Sequence, residues 1–308
     1  MRSKLTAILC CITICCAAQA QHPQPGTMRL SRTSSGHYAF SALLNNKVLA
    51  SVMIESGIHA MLIDSAYYFS HREELGITVH PTDRKRMNGT INLGGTVYRI
   101  THLGKGKLPM GSTTYEGDIL VLANYRNDTH VTIPIHQLRN PCEWYTRIVM
   151  LNIADGEMRM LTRRELREWQ GERYKMNRST YKRMPAIRTT IRFTSDGATA
   201  ELEGNFNIDL GNPMLLYLLG NRPKVAELFD SHGELLLRPL AYNTDGKAST
   251  QVFTPDRCNI LNYSFVEPIV CVTHEFRQFT SEGLIGIGFL ARNIVAFDFG
   301  NNQLYIKE

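Results

Sequence analysis

The chain has 308 residues, 43% of them hydrophobic and 20% charged, and its 34 Lys and Arg against 28 Asp and Glu give a formal charge of +6. That composition is globular, and the length fits about two domains with a large core; a disordered or collagen-like chain is excluded. A charge of +6 spread over this length does not by itself call for nucleic acid, and seven cysteines are too few for a disulfide-dense scaffold.

Residues 1–20 read MRSKLTAILCCITICCAAQA. Arg2 and Lys4 open the segment, an apolar stretch runs from Leu5 to Cys16, and Ala18-Gln19-Ala20 closes it. This is the anatomy of a secretory signal peptide, and its apolar part is short for a membrane span. The expected product starts at Gln21, is exported to the periplasm or the exterior, and has no integral membrane segment. Ile14 before Cys15, and Cys15 before Cys16, argue against a lipoprotein, which needs a small residue ahead of the modified Cys. Cys10, Cys11, Cys15 and Cys16 leave with the signal. Cys258 and Cys271 are then the pair expected to bond in an oxidising compartment, with Cys142 a buried free thiol. No Cys or His spacing fits a zinc site, and neither metal nor cofactor is expected.

The remaining sequence reads mostly as strands: short apolar or alternating runs between turn signals, with little helical periodicity. In chain order these include VLASVMI (48–54), IHAMLID (58–64), TTIRFT (189–194), NFNIDL (205–210) and IVAFDF (294–299). The turns carry Glu55-Ser56-Gly57, Ser195-Asp196-Gly197 and Gly300-Asn301-Asn302. The halves repeat each other weakly. In each, a strand, a Gly-containing turn and a second apolar strand end in an aspartate, Asp64 in the first half and Asp209 in the second. Near the end of each half, IVMLNIADGEMRML (148–161) parallels IVAFDFGNNQLYIK (294–307). A looser match sets Ile133-Pro134-Ile135 beside Ile285-Gly286-Ile287.

The expected division is a signal peptide (1–20), an N-terminal β lobe (21–161), a basic connector (162–184) and a C-terminal β lobe (185–308). Residues 162–183 hold eight basic and three acidic side chains. Thr162-Arg163-Arg164-Glu165 has the pattern of a capping box, so a short helix is expected over 163–170, ended by Gly171. The connector reads first as a solvated link; an anionic partner is the other reading, which the interleaved Trp169, Tyr174 and Tyr181 keep open.

Two lobes related by a pseudo-twofold axis would bring the two strand-end aspartates together. Carboxylates about 3 Å apart share one proton, because both cannot ionise cheaply. The ionised member can take a proton from a water while the neutral member protonates a substrate carbonyl. Leu62-Ile63-Asp64-Ser65-Ala66 and Asn207-Ile208-Asp209-Leu210-Gly211 resemble the apolar-apolar-Asp-Thr/Ser-Gly element of pepsin and retropepsin-like aspartic proteases. Gly283-Leu284-Ile285-Gly286 with Phe289-Leu290 is similar to that family's closing segment. The resemblance implies an all-β, bilobed fold of two β-barrel-like lobes around a substrate cleft. It implies Asp64 and Asp209 as the catalytic dyad, Ser65 and Gly211 beside the substrate, and a flap hairpin over 87–100 carrying Tyr98.

The sequence departs from the pattern. Ala66 stands where the family has Gly, and Leu210 where it has the hydroxyl that links the two active-site loops. Glu55-Ser56-Gly57 also resembles the triplet, with Glu for Asp. The strand-then-Asp order favours Asp64, because Ser195-Asp196-Gly197 occupies the matching turn before Asp209. No GxSxG, HExxH or P-loop spacing competes, and the glycines at 283–288 precede a strand-like run rather than a dinucleotide-binding helix. The resulting expectation is an exported, monomeric aspartic peptidase acting on peptides or proteins and not on nucleic acid. The alternative is a catalytically inactive peptide- or protein-binding module of the same fold.

Overall fold

A computed structural model describes residues 26–82, 89–93, 96–125, 128–178, 184–242, 246, 248–276 and 279–307. The signal-like residues 1–20 and the Gly94-Gly95 turn lie outside the described residues.

Each half begins its sheet with a tight hairpin that its turn residues dictate. Tyr38–Leu44 turns into Val48–Glu55 through Asn45 and Asn46, at φ 52° and 59°. Pro185–Ser195 turns into Ala198–Ile208 through Asp196 and Gly197, at φ 50° and 78°. Two successive left-handed residues match the twist of the flanking strands, and Asn, Asp and Gly adopt that conformation most readily.

Five strands in each half then repeat one arrangement. In the first half Thr113–Ala123 lies parallel to Met61–Asp64, which is antiparallel to Val131–Pro134. Val131–Pro134 is parallel to Val48–Glu55, which is antiparallel to Tyr38–Leu44. In the second half the same senses run through Val270–Thr273, Leu216–Leu219, Gly283–Ile285, Ala198–Ile208 and Pro185–Ser195. The internal duplication is therefore structural.

The lobes meet in a ladder that continues into the sheet of the second lobe. Ile148–Asn152 pairs antiparallel with Ile294–Asp298, with Met150 opposite Ala296. Glu157–Met160 and Gln303–Lys307 flank this pair, so the twice-read IVxxxx hairpin becomes the symmetric seam. The main apolar cluster draws on both lobes and fully buries Tyr115, Phe193, Phe206, Phe253 and Phe297. Burial of each aliphatic or aromatic side chain contributes about 1.5–3 kcal/mol.

Expectations about the connector and about the cysteines are corrected. Among the described residues of the connector the helix runs over Arg163–Glu168 rather than to Gln170; Thr162 and Glu165 cap it reciprocally. Glu172–Arg178 is a strand that bridges Gln303–Lys307 and Pro185–Ser195, so part of the connector belongs to the sheet. Cys258 and Cys271 are both buried free thiols, on strands with different neighbours: Cys258 faces Phe193 and Phe265, Cys271 faces Tyr217 and Val252. Cys142 is exposed rather than buried.

Candidate active site

The strand registers identify which residues correspond across the pseudo-twofold axis. Ile133 stands opposite Ile54 and Pro134 opposite Glu55. Ile285 stands opposite Ile208, and the next residue, Asp209, donates its N–H to the Ile285 carbonyl at 2.8 Å. Ile54 therefore corresponds to Ile208, and Glu55 to Asp209. By the same registers Ile63, opposite Val131, corresponds to Leu218, opposite Gly283, so the counterpart of Asp64 is Leu219.

The structure brings Glu55 to Asp209. Glu55 Oε2 lies 2.6 Å, and Asp209 Oδ1 3.3 Å, from the point where a Cβ on Gly211 would stand. A side chain at Gly211 would thus intrude between the carboxylates, which explains glycine there. Each carboxylate is held from its own loop. Glu55 Oε1 accepts the N–H of Ser56 at 2.7 Å and of Gly57 at 2.9 Å. Asp209 Oδ1 accepts the N–H of Gly211 at 3.0 Å. The N–H bonded in both loops is the one two residues beyond the acid. Glu55 and Asp209 are half-buried, open enough to meet a substrate.

The loops are also tied to each other. The buried Ser56 Oγ accepts the N–H of Leu210 at 2.9 Å. No reciprocal bond can come from the Leu210 side chain, which is buried in the apolar cluster. The hydroxyl that links the loops is therefore Ser56, not Ser65.

Asp64 has a different task. It ends its strand and N-caps the helix Ser65–Ser70, with Oδ1 accepting the Tyr67 N–H at 2.9 Å. Ser65 is the first residue of that helix, and Ala66 is an exposed helical position that needs no glycine. Of the residues expected to form the site, Asp209 and Gly211 meet there, while Asp64 and Ser65 form a helix start. Glu55, Ser56 and Gly57 complete the group, and the Ile133/Ile285 match was the sequence signal for that register.

Two apolar clusters flank the carboxylate loops. In the first lobe Ile58, just past Gly57, packs with Leu62, Ile100 and Leu122, and Ile91, Leu93 and Tyr98 pack against them. These last three belong to the hairpin Thr90–Leu93 and Thr96–Met110, the expected flap, which therefore packs on the same cluster as Ile58 of the glutamate loop. Tyr98 meets Tyr125 edge-on at 5.2 Å, and the Tyr125 hydroxyl shares a 2.6 Å hydrogen bond with Thr132. The second lobe has a corresponding hairpin, Arg238–Tyr242 with Ala248–Phe253, whose first strand is exposed along its whole length. On the second side Met184, Leu219, Phe279 and Leu284 pack with Tyr217. Burial, the neighbouring Cys271 thiol and the charges of Asp209 and Glu275 push the Tyr217 phenol up to about 12, so it is a neutral O–H in the field of Asp209. Among the described residues no group of three or more His, Cys, Asp or Glu is arranged to hold a metal ion.

Two β lobes built on one repeated plan, meeting at a pair of acid-bearing loops, define the pepsin fold. No protein-family model and no curated protein matches the chain. Among solved structures it is similar to an aspartic proteinase from Irpex lacteus, with a TM-score of 0.54 at 10% identity, over 91% of this chain and 96% of that one. It is also similar to Basic 7S globulin from soybean, with a TM-score of 0.53 at 10% identity, over 92% of this chain and 94% of that one. At such identity the likeness shows the fold alone.

Proposed function

We propose that the chain is an exported peptidase of the pepsin fold that hydrolyses peptide bonds in extended polypeptides, with Glu55 and Asp209 as its acid–base pair. The observation that carries this reading is the approach of Glu55 Oε2 and Asp209 Oδ1 to one point above Gly211, each acid held by its own loop. In the proposed reaction one acid of the pair acts ionised and the other protonated. The ionised member takes a proton from a water, whose oxygen adds to the substrate carbonyl carbon. The neutral member gives its proton to the carbonyl oxygen. Collapse of the tetrahedral species breaks the C–N bond: the acid that took the water's proton passes it to the leaving nitrogen, and the other takes one back from a hydroxyl of the diol. No metal enters these steps. The extra methylene of Glu55 is accommodated because its carboxylate folds back onto Ser56 and Gly57. The half-buried hairpin with Tyr98 would close over the bound peptide, and the protein would act as a monomer after removal of residues 1–20.

One observation favours a second reading, a non-catalytic peptide-binding module: the loop link is one-sided, since Leu210 returns no hydrogen bond to the Glu55 loop. A mixed peptide library separates the two. The chain from Gln21 is assayed from acid to neutral pH beside Glu55→Gln, Asp209→Asn and Asp64→Asn. Cleavage is expected to fall by about 10²-fold or more in the first two and to persist in the third. Loss in Asp64→Asn with Glu55→Gln active would return the dyad to Asp64. No cleavage by any folded form would leave the binding module.

A further inference from the structure

On the strand that leads into Asp209 stands an asparagine that the carboxylate pair does not use. Phe206 and Ile208, on either side of it, turn into the main apolar cluster, so Asn207 faces the opposite side of the sheet. Its ladder neighbours there are Ala186 and Leu284. Leu284 packs with Met184, Leu219 and Phe279, and Tyr217 and Phe276 pack against them. This cluster adjoins the acid pair. Met184 Sδ and Glu55 Oε1 each lie 3.6 Å from the point where a Cβ on Gly57 would stand, and Tyr217 feels the charge of Asp209.

Asn207 is fully buried. Among the described residues neither its Nδ2 nor its Oδ1 has a hydrogen-bond partner. A buried carboxamide left in that state destabilises a fold, and native proteins keep few such groups. One that is kept beside a pair of acids fits a partner brought by a ligand. The two free atoms set the chemistry of that partner. Nδ2 donates and Oδ1 accepts, side by side, and a second primary amide answers both in one paired contact. A carboxylate answers only the donor and meets the charges of Glu55 and Asp209. An ammonium answers only the acceptor, and an aliphatic side chain answers neither. Met184, unbranched and flexible, is the member of the cluster that yields most easily to an entering side chain.

We propose that Asn207 is the specificity-determining residue of a side-chain subsite beside the acid pair, and that this subsite takes a glutamine or asparagine of the bound polypeptide. The proposal rests on the reading that an extended polypeptide lies across Glu55 and Asp209, and it holds for cleavage and for binding alike.

The test compares the chain from Gln21 with Asn207→Leu, Asn207→Ala and Asn205→Leu, the last at an exposed position on the same face of the strand. Products of a mixed peptide library are sequenced. Each form is also made with Asp209→Asn and titrated with fluorescein-labelled peptide pools whose central residue is fixed as Gln, Asn, Glu, Lys or Leu. Gln or Asn should be preferred at one position next to the cleaved bond, and the Gln and Asn pools should bind about tenfold tighter than the Leu pool. Both Asn207 variants should lose the amide preference, and Asn205→Leu should keep it. Urea unfolding should find at least one Asn207 variant more stable than the parent, because the unpartnered amide is gone. No amide preference in either assay, or one that survives in both Asn207 variants, would overturn the subsite. A loss of stability in both variants would overturn it too, by giving the amide a structural partner. Amide preference in binding without cleavage by the parent would overturn the peptidase and support the subsite; cleavage without amide preference would do the reverse.

Discussion

At Asp64 and Glu55 the same chemistry, a carboxylate accepting backbone N–H groups, serves two ends. Asp64 satisfies one of the free N–H groups at a helix start, so Asp64→Ala should cost about 1 kcal/mol of stability while leaving peptide cleavage in place. Asp64→Asn should be nearly neutral, because Asn caps as well as Asp. Urea unfolding beside the cleavage assay reads both, and an inactive but equally stable Asp64→Ala would sink the assignment. Ser56 makes the opposite kind of prediction. Its hydroxyl is the bond partner of the buried Leu210 N–H. Ser56→Ala strands that donor, at a cost of about 1–3 kcal/mol, and frees one acid-bearing loop from the other. Both stability and cleavage should fall, whereas Ser65→Ala should change neither by much. The acids were legible in the sequence as types and the aspartate of the second half as a position. The first-half partner was not, because Glu-Ser-Gly and Leu-Ile-Asp lie within ten residues and only the long-range register with Ile133 and Pro134 decides between them.

Among the elements, those set by adjacent residues were readable and those set by distant pairing were not. The capping box at Thr162 is local, and the helix follows it as expected. The strand Glu172–Arg178 looks like a charged link because its pattern reflects an exposed sheet surface, and its partners lie far along the chain. The free Cys258 and Cys271 follow the same rule: closeness in sequence did not place them on facing strands. The helix also carries a pH prediction. Burial raises the Glu165 carboxyl, but the Thr162 N–H and hydroxyl and the Arg159 charge outweigh it, and the net shift is downward. A depressed carboxyl stabilises the fold above its unfolded value, about 4.3, and that contribution is lost as pH falls through the lower folded value. Hydrogen exchange at the Leu166 amide, which bonds the Thr162 carbonyl at 3.0 Å, should therefore accelerate only in strong acid. In Glu165→Gln that acid dependence should disappear; an unchanged profile would show that another group governs the helix.

For the molecule as a whole the two lobes are stabilised by the same kind of buried, weakly acidic side chain. Burial pushes the Tyr67 phenol in the first lobe up to about 12, and the Cys258 thiol in the second likewise to about 12. Burial also raises Tyr115, which donates to the Asp118 carbonyl and accepts the Met61 N–H, and it raises Tyr217 beside Asp209. For each, the folded state favours the neutral form. Their combined contribution is fully present below the unfolded values, about 8.5 for a thiol and 10 for a phenol, and is lost as pH rises toward the folded ones. The antiparallel seam at Met150 and Ala296 joins the lobes through backbone hydrogen bonds and a common core, so neither lobe can open alone without stripping the other of buried surface. Base should consequently unfold both lobes in one transition. Tyrosinate absorbance and far-ultraviolet circular dichroism recorded on the same alkaline titration should change together, with the buried phenols ionising as the strands are lost. Ionisation of these phenols ahead of the loss of strand signal, or two separated transitions, would mean that the seam does not couple the lobes.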